Sequence, residues 1–486
     1  MALAVFLGGC AVRPSGPILE PVALPQAHTD DFAPPLRVAG RHFVDRQGRV
    51  VILRGVNLAG DSKVPPFRPI DDPGDLDPLV ALGCNAVRLL FTWEAYEPRR
   101  GEFDAAYLDD LRRTAAACAE RGMVVIVDIH QDGFSRFASR GAGDGFPAWA
   151  VSPRGTFSTP ANGPESWHWP LLMTTDPTTH RSFEDFYSDA HGVRTAYLEL
   201  LDRVAAAFAT VPGVIGYDPL NEPWGDEQRE LAPLYADAQR VIHARHPGAI
   251  LFLEGHVTTN SGMATRLPEP AFRPVAYAPH YYRPLTLVLN RWHGAEPGID
   301  RAFRTMDETA GAWGVPLFLG EFGIDGDAVG AAAYMDALYD RLDERLASGT
   351  QWNYTPRWTD SAKDGWNGED FSILDDRRRV RPNHPPRPYP RATAGEPLEF
   401  AFARGGAEGG GELTFTWWND PALGATEVFL PRAVFDPGRT HIAVAPADTP
   451  WTRDDASQVL TLRHARPGQV TLRVTVGPGP ATAPAP

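Results

Sequence analysis

The chain has 486 residues, 43% of them hydrophobic and 22% charged. At roughly 100–200 residues per domain, with barrels reaching about 250 or more, that length implies one large domain and a smaller one. A net charge of -15, from 61 acidic and 46 basic residues, argues against a nucleic-acid partner, which wants clustered Lys and Arg, and leaves neutral substrates open.

In chain order, the first feature is an apolar run of small residues from Met1 to Gly9, ending at Cys10. It resembles a bacterial lipoprotein signal, although the usual basic residues before the run are missing. That resemblance implies an exported protein, lipid-anchored at Cys10 or simply secreted; one lipid alone tethers only marginally. No later stretch has the roughly 18 apolar residues needed to span a bilayer. Residues 11–35 are rich in Pro and small residues and read as a linker. The other cysteines, Cys84 beside a strand and Cys118 in a helical pattern, are either buried free thiols or one bridge. Three scattered cysteines make neither a disulfide scaffold nor a metal motif.

From residue 50 the chain alternates apolar strand-like runs with amphipathic helices. The runs are 50–57, 85–91, 123–130, 214–222, 249–254, 275–282, 315–322 and 350–354. Helical patterns at 105–121, 193–210, 227–245, 300–313 and 331–347 lie between them. Apolar strands separated by helices imply a parallel sheet covered on both faces. Eight such units imply an α/β fold of the (β/α)8 TIM-barrel type. An open doubly wound sheet is the alternative, weakened because no Gly-rich nucleotide fingerprint follows the first strand. Two segments, 131–192 and 355–374, are too long for simple connections and should rise from the catalytic face.

Near Pro382 the composition changes to a Pro-rich stretch that reads as a stiff, extended connector. Short strand-like runs follow at 398–403, 412–418, 427–430, 441–444, 459–463 and 469–476, the spacing of a small antiparallel sandwich. The adjacent Trp417 and Trp418 must face opposite sides of their strand, which favours a structural sandwich over a binding platform. The organisation is therefore 1–35 signal-like segment and linker, 36–381 barrel, and 382–486 sandwich with a Pro/Gly tail.

Barrel enzymes place catalytic groups at the C-terminal ends of their strands. Strand four ends Asp218-Pro219-Leu220-Asn221-Glu222-Pro223, and strand seven ends Leu319-Gly320-Glu321-Phe322-Gly323. Two carboxylates so placed can flank a glycosidic bond, one as acid then base, the other as nucleophile. Arg88 in strand two is a cation able to keep a nearby carboxylate ionised. His130 ends strand three with Asp132 just after it, at a spacing suited to sugar hydroxyls. His280 and Tyr282 end strand six, and Trp352 in strand eight offers a face for a sugar ring.

On these residues the chain resembles glycoside hydrolase family five, the cellulase-like family of retaining (β/α)8 enzymes. The resemblance covers about residues 50–374. It implies Glu222 as general acid/base, Glu321 as nucleophile, and Asn221 as the partner of the sugar 2-hydroxyl. Tyr282 and Arg88 would orient Glu321, and His130 and His280 would line the sugar site. It further implies carboxyl groups about 5–5.5 Å apart, retained anomeric configuration, and a raised Glu222 pKa beside an ionised Glu321.

Within the family the chain is most similar to endoglycoceramidases, which cut between oligosaccharide and ceramide. That likeness rests on Gly60-Asp61-Ser62-Lys63, on Asp128-Ile129-His130-Gln131-Asp132 and on the C-terminal sandwich. Lys63, His130 and Asp132 would hold the sugar headgroup, although Lys63 also reads as a surface residue. Phe134, Phe137, Phe146, Trp149, Trp167 and Trp169 in one long loop, and Leu285, Leu287, Val288 and Leu289 after strand six, either cradle acyl chains and touch a membrane surface or pack the loops down. An endo-β-glucanase, a steryl- or ceramide-glucosidase, and a noncatalytic carbohydrate- or lipid-binding surface protein are the alternatives. The expected partner is a glycolipid or oligosaccharide, the expected state a monomer, and neither metal nor cofactor is required.

Overall fold

A computed structural model describes residues 36–166, 169–294, 297–405 and 410–477. Cys10, the linker and Trp167 lie outside the described residues. Eight parallel strands form one sheet: Arg54–Leu58, Ala86–Thr92, Val124–His130, Val214–Asp218, Ile250–Leu253, Val275–Tyr277, Phe318–Leu319 and Ser348–Tyr354. The eighth strand pairs with the first, and a parallel bridge between Tyr277 and Leu317 joins the sixth to the seventh. The barrel expected from the sequence is therefore closed.

Side-chain alternation along these strands explains where the site sits. Successive strand residues point to opposite faces. In strand three, Val125, Val127 and Ile129 pack outward on the helices, while Val124 and Ile126 join the inner core. Asp128 and His130 continue the inward row. The pattern repeats across the ring. Ala86 precedes Arg88, Ile250 and Phe252 precede Glu254, and Ala276 and Ala278 precede His280. The interior thus changes from apolar at the bottom to charged at the catalytic end.

The bottom is closed by residues outside the barrel. Arg37–Ala39 and His42–Val44 form a hairpin, and Phe43 meets Phe252 and Phe318 at ring-centroid distances of 6.0 and 6.3 Å. Val50–Val51 then pairs with His42–Val44 on one side and with Tyr389–Thr393 on the other. Here the structure corrects the sequence reading. The run 50–57 is two strands, not one: its first residues belong to a seven-stranded sheet completed by the C-terminal domain, and only Arg54–Leu58 enters the barrel. Both pieces are buried and apolar, so hydrophobicity alone does not mark the break.

The C-terminal domain packs this seven-stranded sheet against a four-stranded antiparallel one of Gly395–Arg404, Gly411–Asn419, Gly468–Val476 and Thr440–Ala445. Trp417 is buried in the core between them, whereas Trp418 is exposed, as their adjacency requires. Cys84 and Cys118 are buried free thiols, not a bridge.

The Pro-rich connector makes contacts that its composition does not reveal. Asn383 donates to the carbonyls of Ile324 and Phe371, His384 meets Gln351, and Arg387 pairs with Asp336, Asp340 and Asp343. Its polar side chains find partners on the barrel, so the segment is stitched down along it. Asp343 is shared, holding Arg54 at 2.8 Å and Arg387 at 2.7 Å, and it is buried. Removing a buried carboxylate strands its cations. Asp343→Ala should therefore cost about 3–5 kcal/mol in chemical denaturation; a midpoint equal to wild type would show that the connector does not depend on this contact.

Candidate active site

The site is organised around Arg88. Its Nη1 donates to Glu321 at 2.8 Å and to Asn57 at 3.0 Å. Its Nη2 lies 2.8 Å from Asp218, 2.8 Å from Asn221, 2.9 Å from Asp128 and 3.4 Å from Glu254. One buried guanidinium cannot neutralise four buried carboxylates. Burial pushes up the carboxyls of Asp218 and Glu254; Asp128 adds to the first and Asp218 to the second, against Arg88 and His280.

Glu321 follows strand seven, and both its oxygens are held: Oε1 by Arg88, and Oε2 by the Tyr282 hydroxyl at 2.9 Å. Glu222 follows strand four with a backbone φ of +40°, a left-handed conformation uncommon for a non-glycine residue. The surroundings enforce it. Gln131 Nε2 donates to the carbonyls of Asn221 and Glu222, and the Glu222 N–H donates to Glu254. Asn260 Nδ2 and His280 Nδ1 approach Glu222 Oε1 at 2.7 and 2.9 Å.

Carboxylate oxygens of Glu222 and Glu321 lie within 4.8 Å of each other. This is well short of the 6.5 Å or more that leaves room for the water of an inverting enzyme, and it fits the closer spacing, about 5–5.5 Å between carboxyl groups, of retaining glycosidases. Burial, reinforced by Glu321, raises the Glu222 pKa despite the contact with His280. His280 places Nε2 at 3.2 Å from Glu254 and Nδ1 at 3.6 Å from Glu321. Although burial opposes its charge, these carboxylates and Glu222 hold its pKa well above the usual imidazole value.

A second cluster adjoins this pair. Lys63 is fully buried, not a surface residue. Its Nζ lies 2.6 Å from Asp132, 3.8 Å from Glu369, and over the rings of Trp366 and Trp352 at 3.8 and 4.3 Å. Burial opposes its charge as well, but Asp132 and Glu369 raise its pKa. His130 stacks on Trp352 at 5.5 Å and bonds Asp128 at 2.7 Å. There too burial is outweighed, chiefly by Asp128, and the His130 pKa is pushed up to about 10. The Glu369 carboxyl, buried and facing Lys63, is pushed up to about 8, mainly by burial.

Among the described residues, three groups of His and carboxylate residues are compact enough to hold a metal ion: Glu222–His280–Glu321, Asp218–Glu254–His280 and His130–Asp132–Asp144. Each already has a protein cation in contact, Arg88 for the first two and Lys63 for the third. Like charge competes with a metal at each of them.

The structure brings together the catalytic and sugar-binding candidates read from the sequence: Lys63, Arg88, His130, Asp132, Asn221, Glu222, His280, Tyr282, Glu321 and Trp352. Asn221 spends its Oδ1 on Arg88 and donates from Nδ2 to Gln131 O, keeping one amide hydrogen for a ligand. Sequence reasoning missed Asp128, Asp218, Glu254, Asn260 and Glu369. The first three were readable as carboxylates inside apolar strand runs; Asn260 and Glu369 sit on excursions without period.

Lys63, Asp132, Glu222, Asn260, Tyr282, Glu321, Trp352 and Glu369 border a cleft of about 470 Å³. Lys63, Asp132 and Glu369 reach it from loops after strands one, three and eight. Val257, Met263, Leu287 and Val288 line it from loops after strands five and six, across the ring. The loop aromatics divide. Phe134 and Phe146 stack on each other at 4.1 Å inside the core, and Trp149 packs on Trp93, so they fasten the long segment to the barrel. Trp169, at the start of a helix inside that segment, lines the cleft.

Comparison with known proteins agrees. The model of the cellulase family, glycosyl hydrolase family 5, matches residues 44–357, and that of the glycoside hydrolase family 5 C-terminal domain matches residues 387–476. The chain belongs to glycosyl hydrolase family 5 and is a glycoside hydrolase. Endoglycoceramidase I of Rhodococcus hoagii (strain 103S) is 29% identical over 483 residues, covering 91% of this chain and 90% of its own. Endo-glycoceramidase II from Rhodococcus sp. in its ganglioside GM3 complex superposes with a TM-score of 0.75 at 27% identity, covering 90% of this chain and 100% of that one. Its lactosyl-enzyme intermediate gives 0.73 at 28%, covering 91% and 100%.

Two outcomes follow from the geometry. Tyr282→Phe removes a charged-acceptor hydrogen bond from Glu321 and should lower kcat roughly 10- to 100-fold with an unchanged circular dichroism spectrum; unaltered kcat would remove Tyr282 from the machinery. Glycosylation should decline as pH rises through the elevated Glu222 pKa, because a general acid must carry its proton. With Glu222→Gln and a saturating aryl glycoside whose leaving group needs no proton, the phenolate burst should lose that decline. A persisting decline would assign the titration to another group.

Proposed function

We propose that this protein is a retaining β-glycosidase that cleaves the bond between glycan and ceramide in glycosphingolipids. One observation carries the reading: the Glu222–Glu321 pair lies between a polar, Trp-lined side of the cleft and an apolar one. An amphiphile with a sugar head and a lipid tail matches that division. The named activity and GM3 ligand of its relatives point the same way.

In this mechanism Glu321 attacks the anomeric carbon while protonated Glu222 gives its proton to the departing glycosidic oxygen. Ceramide leaves with its hydroxyl restored, and the glycan stays esterified to Glu321. Glu222, now a carboxylate, takes a proton from water, which displaces Glu321 at the same carbon. Two inversions give net retention. Lys63, Asp132, His130 and the Trp352 face hold the sugar; Asn221 supplies its remaining amide hydrogen to the 2-hydroxyl. Leu287, Val288 and Met263 receive the lipid. A binding-only role has no use for two carboxylates held at reacting distance.

The mouth of the cleft extends the same logic. Leu171, Met263, Leu285, Val288 and Leu289 are exposed, Val288 at 82%. Clustered exposed apolar side chains favour contact with a lipid surface, where the substrate resides. The apolar run ending at Cys10 supports export.

The test is incubation with a ganglioside and, separately, with a soluble β-glucan. Free ceramide and intact oligosaccharide are expected from the first, and glucan fragments alone would replace this reading with an endo-glucanase. Proton NMR should show the first-formed sugar as the retained anomer. Glu321→Gln should abolish turnover while leaving glycolipid binding intact.

A further inference from the structure

Beside the sugar-binding residues lies an acid that the mechanism does not use. Asp144 is fully buried, and among the described residues neither of its carboxyl oxygens meets an N–H or hydroxyl donor. One of them lies within 4.8 Å of a carboxylate oxygen of Asp132 and of a ring nitrogen of His130. The backbone sets this placement. Asp144 N–H donates to the carbonyl of Asp132 at 2.8 Å. A Cβ at Gly143 would come within 2.6 Å of the carbonyl oxygens of Asp132 and Ser135. One at Gly145, where φ is +101°, would come within 2.4 Å of the Gln131 side chain. Glycine on both sides of Asp144 lets the loop press against the end of strand three.

A buried carboxylate deprived of every donor is costly, and the usual escape is to keep its proton. A protonated carboxyl becomes a donor. The acceptor within reach is Asp132, whose Oδ2 is 2.6 Å from Lys63 and 3.5 Å from His130 Nε2. We propose that Asp144 is a positioning residue: as a neutral carboxylic acid it donates a hydrogen bond to the Asp132 carboxylate, fixing Asp132 to receive sugar hydroxyls. The service to the sugar rests on the function proposed above; the bond between the two carboxyls does not.

The charges around Asp144 agree with this division. Asp132 and His130 face it from the end of strand three, and Lys63 from the turn after strand one. Glu94, whose N–H bonds Gly145 O, is itself paired with Arg136. Burial raises the Asp144 pKa most and Asp132 adds to it, against Lys63 and His130. At Asp132 burial acts upward too, but Lys63 and His130 prevail and hold it below the usual carboxylate range.

Asp144→Asn tests the idea, because it keeps the shape and a donor but cannot ionise. A carboxyl that is protonated when folded and ionises near pH 4 when unfolded makes stability fall as pH rises between the two values. Between about pH 5 and pH 8 the wild-type Tm should therefore fall relative to that of Asp144→Asn; parallel curves would overturn the proposal. With ganglioside, Asp144→Asn should keep the wild-type KM, while Asp144→Ala should raise KM roughly tenfold with a smaller change in kcat. Equal KM values in the two variants would show that the donor is irrelevant. If wild type itself released no ceramide, the functional reading would fail alone, and the melting comparison would still decide the Asp144–Asp132 bond.

Discussion

A single buried guanidinium holds the catalytic end of this barrel together. Arg88 rises from strand two and touches groups from five other strands: Asn57 in the first, Asp128 in the third, Asp218 and Asn221 at the fourth, Glu254 after the fifth and Glu321 after the seventh. The planar fork of arginine suits this use, because it presents several donors in fixed directions and stays charged when buried. Without that charge, carboxylates from opposite sides of the ring would be left to repel one another in a water-poor interior. The register of the strands and the ionisation of the site are thus the same problem.

The division of protons follows from how the cations are shared. Arg88 and Tyr282 occupy both oxygens of Glu321. Glu222 has only Asn260 and the shared His280, and burial governs it. Two glutamates of identical chemistry are driven to opposite tasks by their surroundings. The sugar side repeats the arrangement with different residues. Lys63 keeps Asp132 ionised, while burial drives Glu369, and Asp144 without a donor among the described residues, toward their neutral forms.

Much of this was legible in the sequence. The alternation of apolar runs and helical patterns defined the barrel, and Asn221-Glu222-Pro223 and Gly320-Glu321-Phe322-Gly323 marked the reacting pair. The inward charged row was also written there. Val124, Ile126, Asp128 and His130 alternate with outward apolar residues, so Asp128 had to face Arg88. Other features had no local signal. Phe134 and Trp169 look alike in a long aromatic segment, yet one is buried in the core and the other lines the cleft. The Pro-rich stretch read only as a stiff, extended connector, because composition does not reveal that Arg387 and Asn383 find partners on the barrel. Residues 50–57 read as one strand because either core would accept them.

The shared sheet at the barrel floor bears on the order in which the molecule is assembled. Phe43 seals the bottom of the barrel, and its strand is held through Val51, which pairs with Ala392. On the ribosome, the barrel strands up to Tyr354 emerge before that partner does. Closing so long a loop is entropically slow and leaves apolar surface open meanwhile. The strand Tyr389–Thr393 is therefore a latch on the barrel floor, and it can engage only after all eight barrel strands have been made.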